Sequence, residues 1–177
     1  MTARNNRKFS PSSLTHSTAH HLLAVGELLD QQGYARVSDI ARNLGVTRGS
    51  VSVVMRSLRD SGYVEQDENH FYRLTEQGQR TVSSLRARHK VVERFLSEVL
   101  GLAPKQSHRE SCRVENLIEA PTTRRLLKLL EFWEERGLAE AFEATGLDTC
   151  AICRGEDMEH CPCCGLECLE GICSRSE

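Results

Sequence analysis

The side chains in this sequence best suited to chemistry are cysteines, histidines and glutamates, and they fall into two groups. The first is a tail. Of eight cysteines in 177 residues, seven lie between Cys150 and Cys173. Cys150 and Cys153 form one CxxC pair, Cys161 and Cys164 a second, and seven residues separate the pairs. Pro162 and Gly165 shape the second pair as a knuckle. Four thiolates at that spacing suit tetrahedral zinc. Cys163, Cys168 and Cys173 exceed what one zinc ion needs. Seven clustered thiols equally suit an iron–sulfur cluster with spare ligands, or a thiol redox sensor. The start, MTARNNRKFSPSS, is polar and basic and no apolar run follows it. The expectation is therefore a cytoplasmic protein, in whose reducing surroundings metal binding is favoured over disulfides. No stretch approaches membrane-spanning length, so no membrane partner is expected.

The second group lies on expected helices. His89 and Glu93 are four residues apart in a long helix that Thr75 and Glu76 open and that runs to about Leu100. They share one face. His108, Cys112 and Glu115 are spaced by four and three on a short helix expected over roughly 107–118, and so share a face as well. Imidazole, thiolate and carboxylate together suit Fe, Mn, Co, Ni or Zn, and two such faces brought together would make a divalent metal site. A small buried core residue is the plainer alternative for Cys112. No nucleophile–base arrangement or phosphate loop is found, and the CxxC pairs lack an adjoining βαβ pattern. No enzymatic reaction is expected.

The elements that position these residues are read from periodicity. Residues 1–13 read as disordered. From Leu14 to Gln32, Leu22, Val25, Leu28 and Leu29 recur at helical spacing, and Gly33 stops the pattern. Val37, Ile40, Ala41 and Leu44 mark a short second helix. Gly45 and Val46 turn the chain, and Thr47 caps a third helix whose inner face is Val51, Val54, Met55 and Leu58. This is a helix-turn-helix unit. Tyr63 to Leu74 alternates loosely around a polar middle and reads as a hairpin, the wing of a winged helix. A further helix is expected from Pro121 to Gly137. Its Leu126, Leu127, Leu129, Leu130, Phe132 and Trp133 exceed one helix's own core needs and predict a homodimer. Beyond Gly146 the composition changes to Cys, Gly, Asp and Glu. The fold class is thus mainly α. A winged helix-turn-helix covers 14–75, a helical dimerisation and metal-binding domain 76–146, and a small Cys-rich metal-binding tail 147–177.

Charge assigns the front of the chain to a polyanion. Residues 1–60 carry 8 basic and 4 acidic side chains, whereas residues 138–177 carry 2 basic and 9 acidic. The second helix of a helix-turn-helix enters the major groove of DNA. The candidates for that contact are Arg36, Thr47, Arg48, Ser50, Ser52 and Arg56. Their hydroxyls suit phosphates or bases, and their guanidinium groups suit phosphate or guanine. Val53 or Val54, whichever faces out, is placed to touch thymine methyl groups.

Several stretches together resemble the family of metal-dependent repressors that includes the diphtheria toxin repressor and the manganese transport regulator. They are Gly33-Tyr34-Ala35-Arg36-Val37-Ser38-Asp39-Ile40-Ala41, Leu44-Gly45-Val46-Thr47, Ser50-Val51-Ser52, Arg88-His89, Glu93-Arg94-Phe95-Leu96, Leu100-Gly101 and Cys112-Arg113-Val114-Glu115. The resemblance covers about residues 14–137. It implies a winged helix plus a helical dimerisation domain, and repression in the metal-bound state. It places His89, Glu93 and His108 in one metal site, and Cys112 and Glu115 in another with His20 from the first helix. His21 stands beside His20 as a substitute. Cys and Glu with a first-helix ligand look like the iron-type pattern, so Fe2+ is favoured, with Mn2+ and Zn2+ as alternatives. Two positions depart from the family. Asn116 stands where the family has His directly after the Glu, and Leu23 stands where manganese regulators carry a second acid. The cysteine tail is not a feature associated with the family.

The reading is a metal-dependent repressor of metal, chiefly iron, homeostasis genes that binds a palindromic operator as a dimer. One alternative makes the tail the sensor of iron–sulfur status or oxidants. Another, of a different class, is a metal-delivery or electron-transfer protein that uses the helix-turn-helix for docking.

Overall fold

A computed structural model of the chain describes residues 14–143. Residues 1–13 and the tail with Cys150, Cys153, Cys161, Cys163, Cys164, Cys168 and Cys173 lie outside the described residues. Two compact units divide after Glu131.

The first unit opens with three helices: α1 (His16–Gln32), α2 (Val37–Leu44) and α3 (Arg48–Asp60). Their starts are fixed locally. The Thr15 hydroxyl accepts from the Thr18 amide at 3.2 Å, and the Thr47 hydroxyl from the Ser50 amide at 3.2 Å. Each satisfies one backbone donor that the first turn cannot use. Strands β1 (Val64–Gln66) and β2 (Tyr72–Leu74) pair antiparallel with Val64 opposite Leu74. Ala35 bridges to Tyr72, so the α1–α2 loop joins the hairpin edge. Asp67 closes the turn by accepting from the amides of Asn69 and Phe71, both at 2.9 Å. Helix, turn, helix and wing match the sequence reading. Leu22, Val25, Ile40, Val51, Met55 and Leu58 are fully buried together and form the core of this layer.

The long helix α4 (Glu76–Arg94) continues through a π-helical turn, Phe95–Val99. Its first turn packs directly under the hairpin: a Cβ on Gly78 would meet the Tyr63 carbonyl oxygen at 2.0 Å. Gly26 does the same for α1, since a Cβ there would lie 3.0 Å from Val82 of α4. α1 therefore belongs to the winged-helix core and also lies against α4. Next comes α5 (Pro104–Val114), which starts earlier than the periodicity suggests. Pro104 does not only end what precedes it; it sits in the first turn of α5, where its missing N–H is not needed.

α6 (Ala120–Arg136) follows. Leu130 is buried in its own chain, which removes it from the face expected to meet a second copy. Leu127 and Leu129 are exposed, as is Leu117 before the helix. In the second unit, residues Phe132 to Glu143 complete α6 and form α7 (Leu138–Glu143). There the Trp133 and Phe142 rings meet edge to face at 5.1 Å.

Candidate metal centre and nucleic-acid interface

The crossing of α4 and α5 brings the predicted side chains to one place. His89 and Glu93 come from α4, His108 and Cys112 from α5, and Glu115 from the residue that ends α5. The Cys112 sulfur lies 3.8 Å from His89 Nδ1 and 3.8 Å from His108 Nε2. One donor atom from each of these three residues lies within 4.8 Å of the others. Ligands on a tetrahedral ion with metal–nitrogen and metal–sulfur bonds of the usual length sit about 3.5 Å apart, so the triangle is close to a ligating arrangement.

The carboxylates surround these imidazoles. His89 Nδ1 donates to Glu115 Oε2 at 2.8 Å, and His108 Nδ1 donates to Glu93 Oε1 at 3.2 Å. The resemblance separated the candidates into two sets of three. In the structure Cys112 touches both imidazoles, and Glu115 pairs with His89 of the other set.

An open cavity of about 370 Å³ adjoins this cluster. α1 supplies His20, Leu23, Ala24 and Glu27 to its wall, and α2 supplies Asn43 and Leu44. Arg86, His89, His108, Cys112 and Glu115 complete it. Glu27, Asn43 and Arg86 were not found from sequence; they sit on polar outer faces and carry no spacing signal. His20 reaches this cavity and His21 does not. One residue further around the helix, His21 is buried and turns its Nδ1 to the Ser17 carbonyl at 2.7 Å. The structure does not bring His21 to the cavity, although its Nε2, like that of His20, is buried without a hydrogen-bond partner.

Two buried atoms test whether a metal fits here. Oε1 of Glu115 and Nε2 of His20 are buried without a hydrogen-bond partner. Buried polar atoms are nearly always satisfied, so each orphan calls for an occupant. A carboxylate oxygen and an imidazole nitrogen beside a thiol and two more imidazoles are donors for a transition-metal cation. The residues fit the group.

Electrostatics agree. Burial, then the neighbouring His16, lowers the His20 pKa and favours the neutral imidazole that ligates. The hydrogen bond to Glu115 raises that of His89, so a proton holds the place of a cation. Burial, then Glu115 and Glu93, pushes the Cys112 thiol up. A bound cation would reverse that by favouring thiolate.

Asn116 has a different role. It is 3% exposed, its Nδ2 donates to the Leu14 carbonyl at 3.3 Å across 102 residues of sequence, and its Oδ1 is buried without a partner. The amide ties the end of α5 to the approach to α1.

The predicted nucleic-acid residues are all exposed. Arg48, Ser50, Ser52 and Arg56 lie on α3 behind the Thr47 cap. The hydroxyls are partly committed: Thr47 Oγ1 and Ser50 Oγ are 2.9 Å apart, and Ser52 Oγ donates to the Arg48 carbonyl at 2.9 Å. Arg36 stands apart at the wing, its guanidinium 4.2 Å from the Phe71 ring centre. Among the described residues no helix is long and apolar enough to cross a membrane.

Comparison with known proteins agrees with both halves. A family model described as "Iron dependent repressor, metal binding and dimerisation domain" matches residues 75–137, and one described as "IclR helix-turn-helix domain" matches 27–68. The chain is 29% identical over 121 residues to the HTH-type transcriptional regulator MntR of Lysinibacillus sphaericus, covering 68% of this chain and 86% of that protein. Among solved structures, the manganese regulator SloR aligns with TM-score 0.61 and 27% identity, over 67% of this chain and 55% of that one. ScaR with bound Zn2+ aligns with TM-score 0.57 and 26% identity, over 65% and 54%. This chain thus spans about half the length of these two solved structures. The relatives named are regulators, not enzymes.

Proposed function

The chain belongs to the family of metal-dependent repressors that includes the diphtheria toxin repressor and the manganese transport regulators, and from that premise we propose that it represses genes of metal homeostasis by binding a palindromic operator as a metal-loaded homodimer. Residues 14–75 bind DNA, residues 76–146 carry the metal and the dimer contact, and 147–177 form a separate metal-binding tail. The ligands are His89, His108 and Cys112, with Glu93, Glu115 and His20. Fe2+ is favoured over Mn2+ because the set contains a thiol and three imidazoles rather than oxygens alone, and ahead of Zn2+ because Cys and Glu with a first-helix ligand resemble the iron-type pattern of the family.

One observation carries this reading: buried donor atoms of α1 and of the α4–α5 crossing, His20 Nε2 and Glu115 Oε1, lack partners beside one cavity. His20 and Glu115 would together hold a cation there, and so hold α1 against α4 and α5. Since α1 is part of the winged-helix core, this fixes where α3 is presented. The cation supplies binding energy available only in that arrangement, so it shifts the population towards it. Two recognition helices so fixed match half-sites about one DNA turn apart.

The test is fluorescence anisotropy of the anaerobically purified chain on duplexes selected from a random-sequence library. Binding is expected to be tightest with Fe2+, weaker with Mn2+ or Zn2+, and weakest with chelator. Equal binding with and without metal would refute the proposal. The seven tail cysteines support a second reading, a cluster- or thiol-based sensor. Iron with acid-labile sulfide in the same preparation would favour it, whereas zinc without sulfide would make the tail structural.

A further inference from the structure

We propose that Val53 reads thymine methyl groups in the major groove. The inference rests on the DNA-binding role of α3 and adds what that helix discriminates. Val51, Met55 and Leu58 face the core, and Val54 is half-buried against it. Val53 faces the other way and is 67% exposed. A single exposed apolar residue is ordinary on a protein surface, so its surroundings must decide.

Three features do. Val53 and Arg56 are neighbours at helical spacing on the outer face. Neither Arg48 nor Arg56 makes an ion pair among the described residues, so the patch is an apolar point within free positive charge. That pattern suits a polyanion with an apolar feature at its floor. One turn back on the same face stands Gly49, where an added Cβ would meet nothing closer than Thr47 Oγ1 at 3.9 Å. The missing side chain leaves a notch beside Val53. Finally, the hydroxyls of Thr47, Ser50 and Ser52 are engaged within the helix. The outer face is left with two arginines for phosphate or guanine and one valine. In the major groove the apolar group offered by a base is the C5-methyl of thymine.

The experiment uses the full chain, metal-loaded, and the highest-affinity duplex selected from the random library. Each thymine is replaced singly by uracil, which removes the methyl and leaves base pairing unchanged. At one position in each half-site, uracil should weaken binding about fourfold, the worth of one buried methyl. Replacing both symmetric positions should cost about fifteenfold. Val53→Ala should bind the thymine duplex about as weakly as the wild type binds the uracil one, and should lose its sensitivity to uracil. Wild-type tolerance of uracil at every position would overturn the inference, as would a V53A variant still sensitive to it; in both cases DNA binding itself would stand. A chain that selects no sequence would overturn the DNA-binding reading and this inference with it.

Discussion

Replacing Glu115 by Gln separates the metal site from the fold it sits in. Glu115 is 1% exposed, with Oε2 bonded to His89 and Oε1 buried without a partner. In the metal-free protein two effects oppose. Losing a charge-assisted hydrogen bond costs about 1.5–3 kcal/mol, while removing a buried charge with an unsatisfied oxygen recovers about 1–3 kcal/mol. The net change is within about 2 kcal/mol either way, or within about 8 °C in Tm for a chain of this length. With metal the effects do not cancel. At a concentration 100 times Kd, an ion stabilises the native state by about 2.7 kcal/mol, a rise of roughly 5–10 °C. If losing the carboxylate weakens affinity about 100-fold, the same ion contributes only about 0.4 kcal/mol, a rise of roughly 1 °C. Thermal melts with and without Mn2+ or Zn2+, for both proteins, read this directly. An undiminished metal-induced rise in E115Q would exclude Glu115 as a ligand. A metal-free variant melting far below the wild type would make it a structural strut.

Two further outcomes follow from the same geometry. Asn116→Ala should lower the Tm by a few degrees, because it frees the Leu14 carbonyl at a cost of about 1 kcal/mol; a tenfold or greater loss of metal affinity would instead make Asn116 a ligand. Metal affinity should fall as pH drops from 8 to 6, by roughly tenfold per unit for each proton displaced, since His89 and Cys112 both hold their protons above the usual range. The metal-free protein should move oppositely: the raised His89 pKa contributes stability that is complete below about 6.5 and is lost as pH rises through the folded value. Chelator-competition titrations and melts at three pH values check both signs, and a flat pH profile of affinity would refute the assignment.

What the sequence revealed was what is local. Thr47 caps α3 through its own third neighbour, and Val51, Met55 and Leu58 repeat every three or four residues, so the helix-turn-helix needed no tertiary information. The i,i+4 pairs likewise put His89 with Glu93 and His108 with Cys112 on common faces. How α4 crosses α5 is set by packing, and no spacing encodes it. Hence the spacing did not show that Cys112 also touches His89, or that Glu115 pairs with His89. α6 was ambiguous for a related reason. Leucines at 126, 127, 129 and 130 cover both sides of a helix, and only the fold shows that Leu130 points inward while Leu127 and Leu129 do not. His21 stays off the cavity for the simplest reason, as adjacent residues on a helix face about 100° apart.

The departure at Asn116 bears most on how metal acts in this chain. Where the resemblance implies an imidazole for the ion, a buried amide holds the Leu14 carbonyl instead. The junction between α5 and the start of α1 therefore has one connection that exists with or without metal. One residue earlier, Glu115 belongs to the proposed ligand set: its Oε2 bonds to His89, and its Oε1, like Asn116 Oδ1, is buried without a partner. Adjacent residues thus divide the work, one keeping α1 near its place and the other responding to the ion that fixes it. A permanent tie reduces the rearrangement that metal must drive. The coupling between metal and operator is then smaller than when the ion alone docks α1, because an effector can shift the equilibrium only by its difference in affinity for the two arrangements. On this view Asn116→Ala should widen the ratio of operator affinities with and without metal, even as it lowers overall stability. A ratio that stays fixed or narrows would show that the amide serves the fold and takes no part in the switch.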